Sequence, residues 1–181
     1  LLTGPQGEKR KVALLINDMR LKTGKKAAVA ETVRLDDIVN AGHVDWSFID
    51  GREFKGAKGS LKNVSAEDLP GGKALKLSGD FTGGGAYVAA HRDFDDVTAD
   101  AFKNVKIAFK SNSIKHYSLR GIDATGQCHQ RRMTFKPGEQ WQTVLIDLQR
   151  FAGCEKWGGA NDGKWHPPLK GLSIVIGKNS A

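Results

Sequence analysis

Two neighbouring stretches, His116 to Asp123 (HYSLRGID) and Gln127 to Phe135 (QCHQRRMTF), hold His116, Ser118, Arg120, Asp123, His129, Gln130, Arg131 and Arg132. These hydrogen-bonding side chains are too many and too varied to serve only as a solubilising surface. Further along, a glycine-rich stretch carries Trp157, Asn161, Asp162 and Trp165. A sugar ring offers a flat apolar C–H face and a fringe of hydroxyls, so an aromatic platform beside planar polar groups would hold it. On this reading Trp157 and Trp165 supply the platform, and Arg120, Asp123, Gln130 and Arg132 the fringe. The alternative is that the tryptophans plug the loop against the protein body while the polar residues face water. Asn161 and Asp162 either hydrogen-bond a sugar or shape the turn. The arginines add a bias toward carboxylate or sulfate, which a guanidinium pairs with bidentately. Trp46 and Trp141 are assigned to the core.

Those side chains need strands to position them. Val105, Ile107 and Phe109 alternate with Lys106, Ala108 and Lys110, the period of a strand with one face on a core. Ala124, Thr125 and Gly126 read as a hairpin turn between the two polar stretches. Pro137 to Gln140 is expected as a turn, Trp141 to Leu148 as a buried strand, and Phe151 to Leu169 as a long loop of the functional kind. Leu172, Ile174 and Ile176 mark a last alternating strand. Earlier in the chain, Lys11 to Leu21 is a strongly apolar strand. Ala27 to Ala41 is a connector with either short-helix or weak strand character, and Val44 to Leu61 holds two strands around a turn. Gly71 and Gly72 precede Ala74 to Phe81, with Leu75 and Leu77 inward, and Gly83 to Gly85 turn the chain into Ala86 to Ala90. The class is all-β.

A chain of 181 residues with 39% hydrophobic content supports one core, and 22 glycines suit short strands joined by tight turns. The formal charge of +8 attracts polyanions, although lysines spread along the chain also fit a generally basic solvated surface. Cys128 and Cys154 form either one bridge or two free thiols. No apolar run approaches the roughly 20 residues that span a bilayer, so no membrane partner is expected. RNP-like, KH, zinc and helix-turn-helix patterns are lacking, and nucleic acid is not expected either. P-loop and G-x-S-x-G motifs are lacking as well, and Asp123 has no evident carboxylate partner for glycoside hydrolysis. Without an initiator Met or signal peptide at Leu1, the chain reads as a portion of something longer.

The succession GREFKGAKGSL, ALKLSGDFTGGGAYVA, YSLRGIDATGQCHQ, WQTVLIDL and KWGGANDG, spanning Val44 to Gly177, resembles the non-catalytic carbohydrate-binding modules attached to bacterial polysaccharide-degrading enzymes. The resemblance implies a β-sandwich jelly roll (galactose-binding-like) of two antiparallel sheets. It also implies a polysaccharide ligand, a catalytic domain elsewhere in the parent protein, and a secreted or cell-surface location. A structural calcium ion often accompanies this fold. Asp18 and Glu53 match its ligands, with Asp147 as a further candidate; the alternative is that these are ordinary surface acids. Such modules usually close with a strand like V-x-I-D-D-I-R-L after the one that LSIVIG matches here, whereas LLINDMRL lies near the start of this chain. Lys11 to Leu21 is therefore expected to complete the sandwich, in its own chain or by exchange between copies, unless it is the tail of a preceding module. The chain divides into this N-terminal strand segment at 1–26, a connector at 27–43 and the module at 44–181. The rival is a jelly-roll polysaccharide lyase, whose residue types recur in His116, Tyr117, Arg120, His129 and Gln130 with QCHQ as a partial echo.

Overall fold

The computed structural model describes residues 11–23, 32–34, 46–68, 72–94 and 102–181. The fold is an all-β sandwich, with two antiparallel sheets of six strands each among the described residues. Sheet A runs in the order β10 (Gly138–Asp147), β7 (Phe102–Ser111), β1 (Lys11–Thr23), β5 (Lys73–Asp80) and β4 (Lys58–Ser65), with β2 (Thr32–Arg34) added to β1. Sheet B runs β11 (Glu155–Trp157), β9 (Cys128–Thr134), β8 (His116–Ile122), β12 (Gly171–Gly177), β6 (Tyr87–Asp93) and β3 (Ser47–Ile49).

Alternation builds the core. Leu75 and Leu77 from β5, Val105, Ile107 and Phe109 from β7, and Leu14 and Ile16 from β1 meet Leu119, Leu172, Ile174 and Ile176 of sheet B in one cluster that also takes in Trp46. Every second residue of these strands turns inward, and burial of that face drives the two layers together.

The N-terminal strand lies inside sheet A. Leu14 pairs with Leu77 on one side, and Ile16 with Phe109 on the other. Its pairing with β7 slips between Asn17 and Arg20, a bulge that bends the strand locally. It thus sits in the layer opposite β12. Within the expected connector only β2 falls among the described residues, pairing with β1 through Arg34 and Arg20.

Two expectations for β10 are corrected. Pro137 to Gln140 is no turn: β10 starts at Gly138, and its pairing with β7 slips before Gln142. Nor is β10 buried, because it is the edge strand of sheet A and only its inner side meets the core. Trp141 falls on the outer side, where its indole N–H donates to Asp68 at 3.0 Å and the Lys110 ammonium sits 5.9 Å from its ring. Leu145, on the same side, is 58% exposed.

Candidate functional site

Strand parity sorts the polar residues of β8 and β9 onto opposite faces. Pairing of Arg120 with Gln130 and of Ser118 with Arg132 turns these four outward, together with His116. Gly121 and His129, the next pair along, turn inward. β11 extends this outer face, because Glu155 pairs with Gln130 and Trp157 with Cys128. On the other flank, β6 contributes Tyr87 and β12 contributes Val175 and Gly177. Between them lies a groove of about 380 Å³ lined by Tyr87, His116, Arg120, Gln130, Arg132 and Glu155, among others.

Arg120 is its centre. Its guanidinium carbon lies 4.2 Å from the Tyr87 ring centroid and 5.4 Å from that of Trp157, so the cation sits within reach of two aromatic rings. Its Nε donates to Gln130 Oε1 at 2.6 Å, and Gln130 Nε2 donates to Glu155 at 2.6 Å. Tyr87 donates its hydroxyl to Glu53. That bond, with help from the Arg120 charge, holds the Glu53 carboxyl below its usual range, while burial and the same carboxylate push the Tyr87 phenol up.

The rim has its own local cause. A Cβ on Gly56 would lie 2.2 Å from the Gly83 carbonyl, and one on Gly85 would lie 2.3 Å from the Ala57 amide; both glycines have positive φ. This close approach brings Glu53 and Phe54 against Tyr87, with the Phe54 ring edge-on at 6.4 Å. Among the described residues, three large hydrophobic side chains are exposed, and two of them, Phe54 and Trp157, border this face.

The expected site residues divide. Arg120, Gln130, Arg132 and Trp157 share the outer face of sheet B. Trp165 does not reach it: its ring stacks on Phe151 at 5.7 Å, tilts against His129 at 5.3 Å, and rests against Gly121, where a Cβ would sit 3.2 Å away. Asp123 is fully buried. Its oxygens accept from the Thr125 and Gln127 amides, the Thr125 hydroxyl, His129 and the His166 amide, so it ties the hairpin turn to the long loop and offers nothing to a ligand. Burial raises its pKa, but these donors outweigh that and hold the carboxyl below its ordinary range. Asn161, at φ 52°, and Asp162 both shape the turn. Asp162 accepts from the Lys164 amide at 2.9 Å and from His166 at 3.1 Å, and its pKa falls to about 2. Both cysteines are free, and burial pushes the Cys128 thiol up to about 11.

The suggested lyase constellation is split as well. His116, Arg120 and Gln130 line the groove. His129 points inward, where it is fully buried with its Nδ1 unpartnered. Tyr117 packs its ring between Phe109 and Phe135. Of the proposed calcium ligands, Glu53 is engaged by Tyr87, and Asp147 caps a 3-10 turn through the Gln149 amide at 3.0 Å. Asp147 pairs with Asn104 at the start of β7 in sheet A, whereas Tyr87, which holds Glu53, begins β6 in sheet B. Asp18 belongs to β1, but its side chain lies outside the described residues. Among the described residues no group of three or more His, Cys, Asp or Glu converges as a metal site.

Sequence reasoning missed Tyr87, Glu155 and Phe54, and gave Glu53 only as a candidate calcium ligand. Tyr87 and Glu155 could have been found by counting strand parity outward from Arg120; the loop carrying Glu53 and Phe54 left no periodic signal. Comparison of the chain with family models, curated proteins and solved structures finds no match in any of the three.

Proposed function

We propose that this protein is a non-catalytic carbohydrate-binding module that holds a polysaccharide in the groove on sheet B and keeps an attached catalytic domain near its substrate. The observation that carries the reading is the trio of Tyr87, Arg120 and Trp157, with Gln130 and Glu155 beside it. Tyr87, Arg120, Gln130 and Glu155 line one groove with Trp157 beside it on the same face, which is the pairing of flat apolar faces with planar donors and acceptors that a sugar ring requires. Tethering then raises the effective concentration of the polymer at the partner domain. A glycan array probed with wild type, Trp157→Ala and Arg120→Ala tests this. Loss of about tenfold or more in affinity is expected for each variant. Retained binding in both would place the ligand elsewhere.

A second reading has one observation in its favour. Tyr87, absent from the expected lyase set, brings a phenol into the groove with His116, Arg120 and Gln130. Against it, the Tyr87 hydroxyl is donated to Glu53 and its pKa is raised, which makes it a poor base near neutrality. Ultraviolet absorbance from an unsaturated uronate product would establish elimination in its place.

A further inference from the structure

We infer that the groove takes an acidic sugar, with Arg132 receiving its carboxylate or sulfate; this rests on the glycan reading above. The groove's own charges are unevenly committed. Among its lining residues the acid is Glu155, already served by the Gln130 amide, and the neighbouring Glu53 is served by the Tyr87 hydroxyl. Arg120 is committed too, within reach of two rings and bonded to Gln130. Arg132 differs. It lines the same groove and is exposed, and among the described residues it has no hydrogen bond or ion pair.

The pairing of Arg132 with Ser118 sets it one outward-facing row along β8 and β9 from the Arg120–Gln130 pair. A sugar lying in the groove between Tyr87 and Gln130 would therefore have Arg132 beside it. A guanidinium fork meets a planar carboxylate, or two oxygens of a sulfate, with paired N–H donors. His116 and Lys178 line the same groove, so Lys178 adds positive charge beside Arg132.

The test is affinity electrophoresis and calorimetry at about 0.15 M salt, applied to wild type, Arg132→Gln, Arg132→Lys, Trp157→Ala and a control, Lys76→Gln. The control removes the same charge from the exposed outer side of sheet A. The probes are polygalacturonate, alginate, chondroitin sulfate and heparin, set against carboxyl-reduced polygalacturonate, galactan, mannan and β-glucan. The expected result is retention by an acidic polymer that weakens about tenfold in Arg132→Gln, recovers only in part in Arg132→Lys, and is unchanged in Lys76→Gln. Loss on carboxyl reduction identifies the carboxylate, and retention confined to the sulfated polymers identifies the sulfate. If neutral polymers bind as tightly as acidic ones, or if Arg132→Gln is silent while Trp157→Ala weakens binding, the acidic preference is overturned and the glycan site stands. Equal losses in Arg132→Gln and Lys76→Gln would assign the effect to overall charge and overturn it too. If no polymer is retained by any form, both readings fall. Melting temperatures of all variants confirm folding, since Arg132 and Lys76 are exposed.

Discussion

On the outer side of sheet A, Lys62 stands directly opposite Lys76, and Leu15 separates Lys76 from Lys110 in the same row. On the outer side of sheet B, Arg120 sits within reach of two rings and is bonded in series to Gln130 and Glu155. Both faces are basic and both face solvent. They differ in order: like charges set across a ladder repel and stay hydrated, whereas the arginine has lost its freedom to neighbours that hold it. A high positive charge therefore says little about where a ligand sits. Pre-arranged planar groups say more, because a partner meeting them does not bear the entropy of ordering them.

That contrast can be broken first at its foundation. Asp123 secures the hairpin turn and the long loop from beneath sheet B, and Asp123→Ala strands several buried donors. It should lose about 2–4 kcal/mol, seen as a fall in melting temperature of roughly 5–15 °C for a chain of this size. Lys76→Ala, on the other face, should stay within about 0.5 kcal/mol. Equal effects would mean that the two faces are equally loose.

A smaller effect separates the loop by pH. Asp162 titrates near 2 in the folded chain against about 3.9 when unfolded. Its contribution is complete above the unfolded value and is lost as pH falls through the folded one. Asp162→Asn should therefore flatten the decline in melting temperature between about pH 4 and 2; a curve parallel to wild type would detach this carboxylate from the loop's stability. The smallest effect lies on sheet A. Lys76→Glu turns a repulsive cross-strand pair with Lys62 into an attractive one and should raise stability by about 0.5 kcal/mol, fading in high salt. A loss would show that the two lysines already avoid each other.

Much of this was legible in the sequence where periodicity was clean. Val105, Ile107 and Phe109, or Leu172, Ile174 and Ile176, declare their inner faces, and Ala124 to Gly126 declares its turn. The two loop tryptophans were not separable in that way. Trp157 is turned outward because three residues of the loop add to β9, and Trp165 is drawn inward because Gly121 leaves room beneath it. Both causes are tertiary, and neither leaves a period in the loop's own residues. Trp141 was misplaced for a related reason. WQTVLIDL is apolar enough to read as buried on both sides, and only its edge position frees one of them. Asp123 looked like a ligand group because a carboxylate beside a turn gives no sign of how many amides will converge on it.

The position of β1 carries a cost in time. Its neighbours in the sheet, β5 and β7, are both made long after it, so the nascent chain must carry Leu14, Leu15 and Ile16 unsatisfied until Phe109 has emerged. Closing loops of that span is slow, and an apolar ribbon waiting for two partners is open to capture by another copy of itself. Refolding yield should therefore depend on protein concentration more steeply than the stability of the finished sandwich would suggest.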